Sequence, residues 1–231
     1  SSSRWCAPLE LAILHQRFDG GGDSGLWRHD DFYALYVVRG GRGIHIINGH
    51  PYGIARGDVY LTPPGTFHGY RDYRNLCVEA FCFQSEFFRD EELDALRALP
   101  GFWQLMTPLE REEFRDYHLH LAPETLRSVE TMLDELFCEL ETPRDDVAPL
   151  LARGLFFRLL VFLAREHAQR KTPERRDVST HKTNQMVGPR VADVLRFCES
   201  HFALPLSVAQ LAAMMFLSPA RFSEKFTREV G

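Results

Sequence analysis

From Leu9 to about Phe83 the chain runs in short apolar stretches, LELAILHQRF, FYALYVV, GIHIING, DVYLTPPG and LCVEAFCF, divided by Gly-Gly, Asn-Gly and Pro-Pro-Gly turns. Runs this short and this closely punctuated predict antiparallel strands packed as a sandwich or small barrel. After Gln84 the period lengthens. Leu126, Val129, Leu133, Leu136 and Leu140 recur every three or four residues behind Pro123, the spacing of an amphipathic helix. A second helix is predicted from about Val147 to His167. Leu150, Leu151, Leu155, Phe156, Leu159, Leu160, Phe162 and Leu163 give it an apolar surface too broad for a single neighbour. Two readings fit that surface: packing between the strands and the first helix, or a face presented to a second copy of the chain.

The stretch Gln169 to Pro189, QRKTPERRDVSTHKTNQMVGP, has almost no apolar side chains and many polar and basic ones. It reads as a linker. Beyond it, VADVLRFCESHF places Val191, Val194, Leu195 and Cys198 on one helical face. Ser207 and Gln210 have the spacing of a capping box, which opens a short helix. The pattern breaks between Met214 and Leu217. A new helix then starts with Ser218 as N-cap and Pro219 in the first helical position. Phe222, Phe226 and Val230 form a stripe expected to face a core, while Arg221, Glu224, Thr227 and Arg228 point outward. Ala220 is small enough for close approach near the N-terminus.

Charges alone would describe any exposed helix, but caps, break and stripe together describe a helix-turn-helix. The outer face suits a major groove: Arg221 or Arg228 can donate to guanine, Thr227 can touch a thymine methyl, and Lys225 on the flank can reach phosphate.

Size and composition narrow the alternatives. The 231 residues, 45% of them hydrophobic, can fill one large core or two smaller ones. A formal charge of -5 argues against a protein that coats nucleic acid wholesale, though a local basic patch remains compatible with it. The five cysteines, Cys6, Cys77, Cys82, Cys138 and Cys198, are scattered without a C-x-x-C pair. That fits buried thiols in a reducing, cytoplasmic setting better than a disulfide framework or a zinc site. No run of 18 apolar residues occurs, so no membrane partner is expected. The opening SSSRW, with neither Met nor an apolar signal core, reads as a trimmed or processed end.

SVAQLAAMMFLSPARFSEKFTREVG resembles the first helix-turn-helix of the AraC/XylS-type transcriptional regulators. Leu211, Ala212, Leu217, Ser218, Pro219, Phe226 and Gly231 carry the likeness. Phe216 stands where that family often has Gly, which implies a wider or differently shaped turn. The family reads DNA with two such units. The resemblance therefore implies a chain cut after the first, binding DNA weakly by itself.

HDDFYALYVVRGGRGIHIINGHPYGIARGDVYLTPPGTFHGYRDYRNLCVEAFCF is similar to the cupin sensor of the family's sugar-responsive branch, with the rhamnose-responsive members nearest. DYHLHLAPETL and LARGLFFRLLVFLARE are similar to that branch's helical part. The likeness covers about Leu9 to His167 and Val191 to Gly231. It implies an α+β chain: a cupin-like antiparallel β-barrel over 1–85, a helical packing and dimerisation segment over 86–168, a linker over 169–188, and a partial all-α DNA-binding domain over 189–231.

Enzymatic cupins hold a metal with two or three His and a carboxylate. Here His29 and His68 match two of those His, another is absent, and Ala34 takes the carboxylate position. Two imidazoles make a poor metal site, so no catalytic residue, metal or cofactor is expected. A barrel mouth still suits a small effector, a monosaccharide in this branch. Strand alternation and aromatic chemistry nominate His29, Tyr33, His45, Tyr60, His68, Glu79 and Phe81 for it, with His45 able to face either side. The same residues are compatible with a polar rim and plain aromatic core.

The expected partners are thus DNA for the full-length protein, a small effector and a second copy of the chain. The runners-up are a metal-dependent cupin enzyme acting on a small sugar or related metabolite, and a dimerising module whose helix-turn-helix contacts only protein.

Overall fold

A computed structural model describes residues 2–6, 11–106, 119–141, 143, 145–169, 191, 194–195, 198, 206–215 and 217–230. The chain divides into two compact units, Ser1–Gln169 and Arg170–Gly231. The sheet and the helices of residues 86–168 therefore fold as one unit. Most of the expected linker lies outside the described residues.

Among the described residues the first unit has eight strands: β1 Ser2–Cys6, β2 Leu11–Phe18, β3 Trp27–Arg28, β4 Tyr33–Ile47, β5 His50–Ala55, β6 Asp58–Thr62, β7 Phe67–Phe83 and β8 Leu119–His120. Their order is β1-β2-β7-β4-β6-β8, with β3 pairing to β7 and β5 to β4 off that path. Every pairing is antiparallel. No ladder joins β1 to β8 among the described residues, so the sheet is not the closed barrel expected from the strand pattern.

The architecture rests on two long strands that each serve both halves of the sheet. The first part of β4 lies between β6 and the end of β7; its second part lies between β5 and the start of β7. Ala34, Tyr36, Val38, Val78 and Ala80 from one half share a core with Ile47, Ile54 and Tyr70 from the other.

Between the halves the β4–β7 register slips at Val38/Gly40, Gly40/Arg42 and Arg42/Ile44. Bulges of this kind bend a strand and re-aim its side chains. Gly41 makes the bend possible: its φ is +68°, and a Cβ there would fall 2.1 Å from the Asn75 carbonyl oxygen.

The opposite face of the sheet is covered by helices. Among the described residues these are α1 Asp90–Arg97, α2 Phe102–Met106, α3 Pro123–Glu141 and α4 Ala148–Gln169. Both helices expected from the 3.6-residue period are present. Leu126, Val129, Met132, Leu133 and Leu136 form the buried stripe of α3. Phe156 of α4 stacks near Phe81 and Phe83, with ring centroids 5.7 and 5.5 Å away.

Arg153 of α4 donates from Nη1 to the Phe87 carbonyl at 3.0 Å and pairs with Glu92. Its guanidinium lies over the rings of Phe87 and Phe157. This ties α4 to the turn that leaves β7. Of the broad α4 surface one side is buried, while Leu150 and Leu151 are 67% and 49% exposed.

In the second unit, α5 Val208–Met214 and α6 Pro219–Val230 follow each other across a short break. The break is held by the amides of Met215 and Leu217, which both donate to the Ala212 carbonyl at 3.0 Å. Ala212, Met215, Leu217 and Phe222 share a small core with Val191 and Val194, and Phe226 packs against it. Val230 departs from the expected stripe, being 46% exposed. Each step of four residues rotates 40° past a full turn, so two steps from Phe222 carry it off the core-facing line. The side chain of Gln210 and the residue Phe216 lie outside the described residues, and with them the capping box and the turn departure.

Candidate functional site

The interior between the two halves of the sheet carries an unusual concentration of polar aromatic groups. His68 and Tyr70 are two apart on β7 and face inward together, as strand alternation requires. Tyr36 and His45 both come from β4, although their numbers have opposite parity. The register slips between Val38 and Ile44 make this so, moving the second part of β4 by one residue against β7 and pairing His45 with Tyr70. Tyr60 of β6 pairs with Tyr36. His29 enters from the segment between β3 and β4, stacked on Phe32 with centroids 4.4 Å apart.

These groups form a connected network. His29 Nδ1 meets the Phe32 carbonyl at 3.1 Å, and its Nε2 meets Thr62 Oγ1 at 3.2 Å. His45 Nε2 lies 2.9 Å from His68 Nδ1, and the Tyr36 hydroxyl lies 3.4 Å from His68 Nε2. The chain Tyr36–His68–His45 can carry its protons in either direction. In both, His45 Nδ1 is the end left over, buried and without a partner among the described residues.

The hydroxyls of Tyr60 and Tyr70 are close enough to act on each other's ionisation, in a contact short of good hydrogen-bond geometry, and among the described residues neither has another partner. Rings close the surroundings: His45 stacks on Tyr70 at 4.5 Å, Tyr36 on Tyr60 at 5.0 Å, and Trp27 lies edge-on to His68 at 4.9 Å.

Burial sets the electrostatics. It pushes His68 down to about 3, with His29 adding a smaller push in the same direction. His45 is held well below its ordinary value by burial, then by His68 and His29. His29 is lowered by burial against a partial opposing effect of the Phe32 carbonyl and of Asp30 and Asp31. Tyr36, Tyr60 and Tyr70 are raised well above the ordinary phenol range, again chiefly by burial. At neutral pH the interior is an uncharged lining of donors and acceptors in an aromatic frame.

Of the seven nominated effector residues, the structure brings together His29, His45, Tyr60 and His68. Tyr33, Glu79 and Phe81 lie on the other face, beneath the helices, and cannot share that lining. Tyr33 stacks on Phe83 at 5.6 Å, and its hydroxyl is raised by burial. Phe81 packs on Phe156. Glu79 is fully buried and accepts from His15 at 2.8 Å and Arg39 at 3.4 Å.

Sequence reasoning missed Tyr36, Thr62 and Tyr70. Alternation from Ala34 and from His68 was the available signal for the two tyrosines.

On α6, the Arg221 amide lies 3.4 Å from Ser218 Oγ and the Phe222 amide 2.9 Å from the Ser218 carbonyl, the N-cap arrangement expected. Ala220, Glu224, Thr227 and Arg228 are exposed, whereas Arg221 and Lys225 are half-buried. Lys225 Nζ sits 3.9 Å from Glu229.

Three kinds of likeness bear on this architecture. The AraC-like ligand binding domain family matches residues 24–160. The HTH-type transcriptional activator RhaS of Klebsiella pneumoniae (strain 342) is 26% identical over 203 residues, covering 88% of this chain and 66% of the relative. RhaS of Salmonella agona (strain SL483) is 28% identical over 206 residues with the same coverage. The match thus spans just under two thirds of the length of these relatives.

Among solved structures, KdgF from Halomonas sp. superposes with a TM-score of 0.31 at 20% identity, over 36% of this chain and 75% of that one. A predicted oxalate decarboxylase from Thermotoga maritima does so with a TM-score of 0.28 at 25% identity, over 32% and 64%.

Proposed function

This chain belongs to the AraC-like ligand binding domain family, and on that premise we propose that it is the effector-sensing part of a cytoplasmic, dimeric transcriptional regulator responsive to a monosaccharide. The observation that carries the effector reading is His45 Nδ1, a buried polar atom of the sheet interior that meets no partner among the described residues, beside the hydroxyls of Tyr60 and Tyr70, which have only each other. Buried polar atoms without partners are costly, and a ligand whose hydroxyls met them would recover those hydrogen bonds. A neutral polyol suits neutral imidazoles and phenols, and its C–H faces suit the ring planes of Tyr36, Tyr60 and Tyr70.

The second unit gives the output. α5 and α6 have the order and break of a helix-turn-helix. Ser218, Ala220, Arg221, Glu224, Lys225, Thr227 and Arg228 form the DNA-facing set, the first of two reading units in the full-length regulator. The helical segment supplies the dimer contact through α4. No helix among the described residues is long and apolar enough to cross a membrane.

An effector can shift such a regulator only by binding one arrangement of sensor and reader better than another. The test is a thermal-shift and calorimetric screen of this chain against neutral pentoses, hexoses and deoxyhexoses. A binding sugar at one hundred times its Kd is expected to add about 2.7 kcal/mol of stability, and Tyr60→Phe together with His45→Ala is expected to weaken that effect. A screen in which no neutral sugar stabilises the chain would sink the monosaccharide reading.

A further inference from the structure

We propose that His15, Cys77 and Glu79 form a binding site for a zinc-like divalent cation on the helix-covered face of the sheet, separate from the histidines of the interior. The ladder places these three together. Cys77 and Glu79 are two apart on β7 and project to the same side, while His15 of β2 pairs directly with Glu79 and sits diagonal to Cys77. The ligand atoms of the three, an imidazole nitrogen, a sulfur and a carboxylate oxygen, all lie within 4.8 Å of one another. The sequence offered no sign of this, since His15 lies far from the other two along the chain.

A second observation points to a ligand. Glu79 is fully buried, yet only Oε1 is engaged, by His15 Nδ1 at 2.8 Å and Arg39 Nη1 at 3.4 Å. Among the described residues its Oε2 has no partner. A buried carboxylate oxygen in that condition is short of one positive or donating neighbour. The donor set matches zinc, which accepts nitrogen, thiolate and carboxylate ligands together and leaves a fourth position to water when the protein supplies three.

Access exists from the rim. The His15 side chain is 40% exposed, and Cys77 is only partly buried. The thiolate and carboxylate would together neutralise a divalent charge. Arg39 opposes the cation, but it has a second anion, Asp134 of α3, at 3.1 Å. Cation binding at Glu79 would therefore leave Arg39 held by α3 alone.

Cobalt(II) is the probe. Added to the purified, reduced chain, it is expected to produce intense near-ultraviolet sulfur-to-cobalt absorption that saturates at one equivalent and is displaced by zinc. The band should vanish in Cys77→Ser, which keeps the other four cysteines. It should shift and weaken in His15→Gln, with circular dichroism showing both variants folded. Absence of the band in the unaltered chain, its persistence in Cys77→Ser, or an unchanged spectrum in His15→Gln would each overturn the proposal. Because the readout is the metal's own spectrum, it is independent of whether a sugar binds the interior.

Discussion

His45 Nε2 and His68 Nδ1 lie 2.9 Å apart inside the sheet, each imidazole buried and uncharged at neutral pH. Two facing imidazoles hold such a contact only while at least one nitrogen keeps a lone pair. Protonating both rings would set two donors, and two like charges, against each other in a buried site.

Stability should therefore fall as the solution is acidified. In the unfolded chain these histidines titrate near their ordinary value of 6.5; in the folded chain His68 is pushed down to about 3 and His45 also lies below. Between those limits the unfolded state binds more protons. The contribution is complete above the unfolded value and is lost progressively towards pH 3. By pH 5 the His68 contribution should have fallen by about 2 kcal/mol, with His45 acting in the same direction. Urea titrations from pH 8 to 4 should show this slope in the first unit, and His68→Gln should reduce it.

Gly41→Ala should destabilise the chain more than Gly49→Ala. Both glycines have positive φ, +68° and +83°, so both substitutions carry the left-handed penalty of about 1–2 kcal/mol. At Gly49 nothing among the described residues lies within 4 Å of the new Cβ, whereas at Gly41 the Asn75 carbonyl oxygen stands 2.1 Å away and β4 must move off β7. A difference of less than about 0.5 kcal/mol between them in denaturant melts, the usual scatter of neutral substitutions, would mean the strand crossing is looser than this geometry.

If the chain pairs through α4 as proposed, Leu151→Glu should shift it from dimer to monomer in sedimentation velocity without lowering its melting temperature, and a chain that is monomeric before the substitution would overturn that pairing. Leu150 and Leu151 stand exposed at the start of α4. Further along the same helix Gly154, Phe157, Val161 and Phe162, with Met132 of α3, line an apolar hollow of about 480 Å³ edged by Arg158 and Arg165. A charge placed on such a surface costs association far more than folding. An unchanged dimer would move the interface elsewhere.

In a chain carrying both reading units, Arg221→Ala should cost about 1–3 kcal/mol of DNA affinity and relax discrimination at one base position. Arg228→Ala, on the exposed side of α6, should show the same kind of loss at a different position if it also reads a base. A uniform loss across all sequences would instead mark it as a phosphate contact. Band-shift titrations against a mutated operator series, repeated at two salt concentrations, separate the cases.

Much of the fold was legible because period is a local property. The turn-divided strands, the stripe of α3, the long α4 and the Ser218-Pro219 start of α6 each follow from a few neighbouring residues. The site was legible only in part. Alternation fails across a bulge, so His45 could not be assigned a side until the slip between Val38 and Ile44 was seen. Tyr33, Glu79 and Phe81 were nominated because aromatic and acidic residues suit a sugar, but a strand with two buried faces looks alike on both. Phe81 and Phe83 met Phe156 of a helix that no strand pattern announces. Whether the sheet closes depends on pairing between its outermost strands, which no single segment encodes.

Because β4 and β7 each traverse both halves, His45 and Val37 stand on one uninterrupted ribbon. Just past the Gly40–Gly41 bend the same strand carries Arg39, whose guanidinium meets Asp134 on α3. The inner rings and the outer helices are thus neighbours along one short piece of backbone, with the glycine bend as the joint between them.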